Sequence, residues 1–141
     1  MESEGERAWE WVSKGVRAAE ADPLSHRVIG AAIEVHKHLG PGLLESAYEE
    51  CLCYELTQAG LAIQRQVPLP VVYKGVSLEL GYRIDVIVEG RLLLELKAIE
   101  AVDAIHEAQL LTYLRRSGIR TGLLINFCVP VLKDGVRRRV L

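Results

Sequence analysis

The stretch YRIDVIVEGRLLLELKA, residues 82–98, decides how this chain folds and where its chemistry lies. It is strongly apolar, yet it carries Asp85, Glu95 and Lys97, and such ions are costly to bury unless they are paired or coordinated. A Glu-Gly turn signal divides the stretch into two apolar halves, which predicts a β-hairpin. Whether the three ions meet on one face depends on the register of that hairpin.

The length of the hairpin loop sets the register. Side chains alternate across a strand, so Glu95 and the lysine two residues later share a face. A two-residue loop would place Asp85 opposite Leu94, whereas a three-residue loop at 89–91 would place it opposite Glu95, because a one-residue slip changes the face. A clustered site therefore predicts an odd loop or a bulge, with a positive φ angle at Gly90.

Two interpretations of such a cluster are open from spacing alone. Two neighbouring carboxylates repel each other, and a divalent cation with a preference for hard oxygen ligands, Mg²⁺ or Mn²⁺, would relieve the repulsion. Lys97 could then hold or help deprotonate a water, an arrangement suited to phosphodiester hydrolysis. Alternatively, the segment is an ordinary amphipathic hairpin whose Glu and Lys face solvent.

The rest of the chain predicts helices, then strands, then a helix and closing strands. Asp22 followed by Pro23 is a helix start signal, and Gly40-Pro41-Gly42 is a stop. Helices are predicted at about 6–20, 23–39, 43–59 and 103–117, and strands at 62–73, 76–88, 91–98, 121–127 and 136–140. Pro68 and Pro70 suit an edge strand, and the apolar run 121–127 suits a strand buried on both faces.

Composition limits the class of protein. The 141 residues are 50% hydrophobic and 26% charged, with a net charge of −2, which indicates one folded domain without a global basic field. Apolar runs are too short to cross a bilayer, and the acidic N-terminus lacks a signal-peptide pattern, so we expect a cytoplasmic protein. Cys51, Cys53 and Cys128 lack zinc-site spacing and are predicted to be reduced thiols. The basic clusters at 115–120 and 133–139 are interpreted as solvated faces.

Two helical motifs accompany the hairpin. Residues 42–48 read Gly-Leu-Leu-Glu-Ser-Ala-Tyr, and residues 106–113 read His-Glu-Ala-Gln-Leu-Leu-Thr-Tyr. With the D-x9-E-x-K pattern of the hairpin, they resemble the GxxExxY family of the PD-(D/E)XK nuclease superfamily, from about residue 24 to the C-terminus. Ile84 departs from the pattern, because the superfamily name places a proline there. The matching positions are Gly42, Glu45 and Tyr48 for the naming motif, Asp85, Glu95 and Lys97 for the superfamily core, and Gln109 and Tyr113 for the QxxxY motif of RecB-like members.

The resemblance implies an α/β fold with a PD-(D/E)XK, restriction-endonuclease-like αβββαβ core. A mixed sheet would be flanked by helices, with an extra N-terminal helix in residues 1–22 and the nuclease-like domain in 23–141. It also implies Mg²⁺ or Mn²⁺ as the cofactor. The implied metal ligands are Asp85, Glu95, the backbone carbonyl of Leu96, and Glu45. The implied catalytic residues are Lys97, which would position the attacking water, together with Gln109, Tyr113 and Glu45.

Less specific explanations exist for several of these residues. Glu45 in the first turn of a helix is favourable at the positive end of the dipole whatever its chemistry. Tyr48 is expected in the core rather than in catalysis. Gln109 and Tyr113 would orient Lys97 or contact a phosphate, and His106 is as well explained as a surface residue.

The function implied by the resemblance is metal-dependent hydrolysis of nucleic-acid phosphodiester bonds, leaving a 5′-phosphate. The partner would be nucleic acid, with DNA favoured and no membrane involved. One alternative is a non-catalytic nucleic-acid-binding module that grips phosphates through the arginine clusters. Another is a protein-interaction subunit, a homodimer for example, that docks through the segment containing Trp9 and Trp11.

Overall fold

The computed structural model describes residues 22–141. The predicted helix at 6–20, with its two tryptophans, lies outside the described residues, as does nearly all of the predicted extension at 1–22. The helices are α1 (Pro23–Leu39), α2 (Glu45–Gln58) and α3 (Ala104–Ser117). The strands are β1 (Ile63–Pro68), β2 (Val71–Tyr73), β3 (Val76–Leu78), β4 (Arg83–Val88), β5 (Leu92–Lys97), β6 (Thr121–Asn126) and β7 (Val136–Val140), with a 3₁₀ turn at Leu132–Gly135 before β7.

Five strands form a mixed sheet in the order β1-β4-β5-β6-β7. Neighbours are antiparallel except β5 and β6, which are parallel. Parallel neighbours need a crossover connection, and α3 provides it. The predicted mixed sheet flanked by helices is therefore confirmed.

Helices cover both faces of the sheet. Helices α1 and α2 pack on one face, where alternate residues of β4 and β5 such as Val86 and Leu94 are buried. Helix α3 packs on the other face, against Leu93 and Leu124. A Cβ atom on Gly122 would lie 2.9 Å from Cδ1 of Leu110, so the glycine lets α3 approach β6 closely. The strand at 121–126 is buried on both faces, as its sequence predicts.

The predicted strands at 62–73 and 76–88 were wrong in their extent. Each is broken, and the central part forms a separate two-stranded hairpin of β2 and β3. The break follows Pro68, which ends β1, because two prolines two residues apart remove backbone donors from the ladder. The prediction of an edge strand at Pro68 is confirmed, since β1 forms one edge of the sheet.

The β4–β5 hairpin has the loop that a clustered site requires. Val88 pairs with Leu92, which leaves residues 89–91 as a three-residue loop. Gly90 has a φ angle of 65° and Glu89 has one of 53°. The same register pairs Val86 with Leu94, where the ladder ends, and just beyond it hydrogen bonds between side chains and backbone amides link Asp85 to Glu95 and Leu96.

The start of α1 is tied to the last strand. Asp22 caps the helix by accepting a hydrogen bond of 2.7 Å from the Ser25 amide, as predicted. It also forms a 2.9 Å ion pair with Arg138, which is 5% exposed. The interpretation of the C-terminal basic cluster as a solvated face was therefore wrong for Arg138. Its neighbours Arg137 and Arg139 contact Glu107 of α3.

Two further structural facts bear on the class of protein. Within residues 22–141, no helix has the length and apolar character needed to cross a membrane. The three cysteines are free thiols. Burial raises the pKa of the Cys53 thiol to about 11, so this cysteine stays protonated in the core at neutral pH.

Gly135 offers a test of the packing before β7. A Cβ atom built on it would lie 2.0 Å from the carbonyl oxygen of Asn126, a backbone atom of β6. Because that atom cannot move without displacing the strand, Gly135→Ala should lower the free energy of unfolding by roughly 2 kcal/mol or more. Urea denaturation would measure the change.

Gly30→Ala is the matched control. Nothing lies within 4 Å of the added atom, and alanine is a better helix former, so stability should rise by about 0.5–1 kcal/mol. A Gly135→Ala protein as stable as the wild type would contradict the described position of the 3₁₀ turn.

Candidate metal and catalytic site

Asp85 and Glu95 are held together by backbone hydrogen bonds across β4 and β5. The Asp85 carboxylate accepts a bond of 2.8 Å from the amide of Leu96. The Glu95 carboxylate accepts a longer one, 3.4 Å, from the amide of Asp85. Each acidic side chain is thus fixed by the strand that carries the other, so the hairpin register itself brings the two carboxylates together.

Burial makes this pair of carboxylates difficult to ionise. Glu95 is 3% exposed, and burial, followed by the charge of Asp85, raises its pKa to about 8. The pKa of Asp85 is also raised, first by burial and then by Glu49, although the Leu96 amide and Lys97 act in the opposite direction. Carboxyl groups in this state gain from any cation that can approach both of them.

Lys97 is connected to α3 through a short chain of hydrogen bonds. Its Nζ donates to Oε1 of Gln109 at 3.4 Å, and Nε2 of Gln109 donates to the hydroxyl of Tyr113 at 3.0 Å. Burial raises the pKa of Tyr113, so its hydroxyl remains protonated at neutral pH. The i, i+4 spacing that the sequence shows therefore lets Tyr113 bind Gln109, and Gln109 is the residue that contacts Lys97.

The structure places two further residues beside Asp85 that the sequence analysis did not assign to the site. Gln66 of β1 donates a 2.7 Å hydrogen bond to Glu49 of α2, and its amide also lies 3.5 Å from Oδ1 of Asp85. Gln66 has a φ angle of 51°, a strained conformation for a residue with a side chain. Glu49 is buried and also paired with Arg65 at 2.9 Å. Its spacing of four residues from Glu45 was the one available signal.

The residues of the GxxExxY motif occupy different environments. Glu45 is exposed in the first turn of α2, and its charge raises the pKa of Asp85 less than that of Glu49 does. Tyr48 is fully buried, as expected for a core residue. Its hydroxyl donates to the Gly40 carbonyl at 2.6 Å and accepts from the Leu43 amide at 3.1 Å, and its ring stacks on Phe127. Tyr48 therefore fixes the loop between α1 and α2.

His106 has a structural role at the start of α3. Its Nδ1 accepts a 2.9 Å hydrogen bond from the amide of Asp103, which helps to define the beginning of the helix. The ring also borders the apolar groove beside Gln109 and Tyr113.

The donor set suits a magnesium-like ion. Among residues 22–141, no three His, Cys, Asp or Glu side chains form a metal-ligand cluster. Mg²⁺, however, is commonly held by one or two carboxylates and retains several waters. The pair of Asp85, which is half-buried, and Glu95, which is buried, provides that minimal set of hard oxygen ligands, and the raised pKa values of both show that a nearby cation would stabilise their ionised forms.

A family model for the PD-(D/E)XK nuclease superfamily matches residues 22–139. The chain belongs to the PD-(D/E)XK nuclease superfamily. No curated protein and no solved structure matches it. In this PD-(D/E)XK domain, the β4–β5 hairpin carries Asp85, Glu95 and Lys97, the three residues of the D-x9-E-x-K pattern.

The PD-(D/E)XK domain should become more stable when Glu95 cannot ionise. Below its ordinary pKa of 4.5 the group is protonated in both the folded and the unfolded chain, so the substitution has little effect there. As pH rises toward 8 the unfolded chain ionises first, and wild-type stability falls. The free energy of unfolding of metal-free Glu95→Gln should therefore exceed that of the wild type by on the order of 3 kcal/mol near pH 8 to 9.

Urea denaturation in EDTA between about pH 5 and pH 9 would measure this difference. The exposed Glu100→Gln is the matched control and should differ from the wild type by less than about 0.5 kcal/mol. A Glu95→Gln effect that does not grow with pH would show that burial of this carboxyl does not oppose its ionisation.

Proposed function

We propose that this protein is a metal-dependent nuclease that hydrolyses phosphodiester bonds in nucleic acid. The observation that carries the proposal is the convergence of two carboxylates, the half-buried Asp85 and the buried Glu95, beside Lys97 on one hairpin. Membership of a superfamily that consists mainly of nucleases supports it. On the Gly42, Glu45 and Tyr48 motif, we further propose membership of the GxxExxY family.

Asp85 and Glu95 would hold Mg²⁺ or Mn²⁺, with the backbone carbonyl of Leu96 and Glu45 as additional oxygen ligands. Bound there, the ion would supply Lewis-acid stabilisation of the negative charge that develops on the phosphate. Gln66 would keep Asp85 in place, since its amide lies between Asp85 and Glu49.

Lys97 would orient the attacking water and stabilise negative charge on the phosphate. Gln109 accepts a hydrogen bond from its ammonium group without neutralising it, because an amide carries no charge. Tyr113 fixes the amide in turn. The pair would act as positioning residues for Lys97, and the 3′-oxygen would leave to give a 5′-phosphate end.

The alternative function, a non-catalytic nucleic-acid-binding module, has less support. In that interpretation both arginine clusters bind phosphates, but in the C-terminal cluster Arg138 is buried against Asp22 and its two neighbours contact Glu107. Exposed arginines remain in the other cluster, at 115, 116 and 120. The three arginines of the C-terminal cluster, engaged by carboxylates of the same chain, contribute little to counterion release. We therefore favour the enzyme. We propose DNA as the first substrate to test and the cytoplasm as the location of the protein.

Calorimetric titration of Mn²⁺ or Mg²⁺ into metal-free protein tests the metal site. The wild type should bind, and Asp85→Ala and Glu95→Gln should each abolish measurable binding while leaving the melting temperature unchanged or higher. Removal of one carboxylate from two neighbouring acidic groups relieves repulsion, so binding lost at an unchanged or higher melting temperature cannot be attributed to unfolding. Binding that survives both substitutions would contradict the assignment.

Cleavage of labelled DNA in Mg²⁺ tests the chemistry. Lys97→Ala should lower the rate by roughly 100-fold or more, in the range for loss of a positioned electrostatic stabiliser. Lys37→Ala is the matched control, since this exposed lysine ends α1 on the opposite side of the sheet from α3. Asp85→Ala protein that cleaves as fast as the wild type would overturn the proposal.

A further inference from the structure

An apolar groove adjoins the candidate site. It has a volume of about 650 Å³ and lies between the residues that follow β1 and precede β4 and the exposed side of α3. Gln109 and Tyr113 line the groove, and they also form the chain of hydrogen bonds that ends at Lys97. A group bound in the groove would therefore be in contact with the side chains that orient Lys97.

The walls of the groove combine aromatic, aliphatic and cationic groups. Tyr82 is 47% exposed and meets the ring of Tyr113 edge to face, with centroids 6.4 Å apart. Leu80 and Ile105 are exposed large apolar side chains on either side, and the exposed Arg116 also lines the groove. Tyr113 is buried, so Tyr82 offers the exposed ring, and an exposed phenol ring is a surface on which a nucleobase can stack, as a guanidinium is.

The size of the groove fits a flat, unpaired ring system. Pockets for small ligands span about 300–1,000 Å³, so a volume of about 650 Å³ accommodates a nucleobase with its sugar. Duplex DNA keeps its bases stacked on one another and presents phosphates outward, which gives a groove of this kind nothing to bind. The groove therefore favours a strand whose bases are free.

Charge supports the same conclusion. Duplex binding depends on many phosphate contacts, whereas the arginines of β7 contact carboxylates of Asp22 and Glu107. The net charge of −2 adds no general attraction for a polyanion. Stacking does not require such a field, so it can supply affinity where counterion release does not.

We propose that the groove beside Tyr82 binds an unpaired nucleobase, which makes single-stranded nucleic acid the substrate class of this site. The inference rests on the proposed function, which makes nucleic acid the substrate. It adds a binding site next to the scissile phosphate and a reason for strand specificity. An apolar side chain from a protein partner is the competing occupant.

Binding can be measured where cleavage cannot occur. The full-length protein carrying Asp85→Ala, in EDTA, is titrated into fluorescent DNA of about 12 nucleotides in three forms: single-stranded, duplex, and an abasic chain with the same phosphates. The single strand should bind roughly 10-fold or more tightly than either of the others. The abasic chain separates base stacking from attraction to the phosphates.

Substitution of the exposed ring locates the binding site. Tyr82→Ala should weaken single-strand binding by roughly 5- to 100-fold, while Tyr82→Trp should preserve it because the stacking surface is kept. Tyr54→Ala is the matched control, since Tyr54 is 62% exposed on α2, outside the groove. Its affinity should equal that of the parent protein.

The inference falls if base-bearing and abasic chains bind equally, if Tyr82→Ala binds as the parent does, or if no oligonucleotide binds. Its failure is distinguishable from failure of the nuclease proposal. If the wild type cleaves in a metal-dependent way and the Tyr82→Ala variant cleaves and binds equally well, the nuclease proposal stands and the proposed base-binding groove is overturned. Binding that depends on bases and on Tyr82, without cleavage in Mg²⁺ or Mn²⁺, would retain the groove and overturn the nuclease.

Discussion

The structure depends on one constraint, the placement of a half-buried and a buried carboxylate at the same point of a sheet. Asp85 and Glu95 are brought together by a three-residue loop, and each is held by the strand of the other. A pKa of about 8 for Glu95 means that the metal-free protein keeps a proton on the pair near neutral pH. A fold tolerates such a pair where the carboxylates have a ligand, because an apolar residue at either position would cost less to bury. A divalent cation bound to both groups would compete directly with that proton.

Residues around Asp85 help to fix its position through hydrogen bonds and an ion pair. Gln66 adopts a left-handed backbone conformation at the edge strand, between two residues that pair normally with β4. The strain places its amide between Glu49 and Asp85. Observed strain of this kind is commonly found at functional sites, where neighbouring structure enforces it. Arg65 holds Glu49 from the other side, so the position of Asp85 is coupled to both α2 and β1.

Much of this could be predicted from the sequence because local chemistry determined it. The Asp22-Pro23 start of α1 and the end of α3 before Gly118 each follow from a steric or hydrogen-bonding rule. The three-residue hairpin loop was predicted only on the condition that Asp85 and Glu95 form one site, because spacing alone left a two-residue loop open. The broken strands could not be predicted, because short β2 and β3 pair with each other instead of extending the sheet. Gln66 was missed because nothing in its residue type suggests a positive φ angle. The burial of Arg138 was missed because a run of three arginines alternates across a strand, and the middle one faces Asp22.

The contacts of Lys97 show why a neutral partner matters in an acidic site. A lysine beside two carboxylates would form an ion pair with one of them if nothing else held it, and its charge would then be spent on that partner. Gln109 instead accepts a hydrogen bond from the ammonium group, and its amide nitrogen donates one to the Tyr113 hydroxyl. The charge of Lys97 is thus directed without being cancelled, and both residues that direct it also line the groove beside Tyr82. A base bound in the groove, as proposed above, would contact the residues that hold the lysine, so occupancy of the groove and orientation of the ammonium group would be coupled.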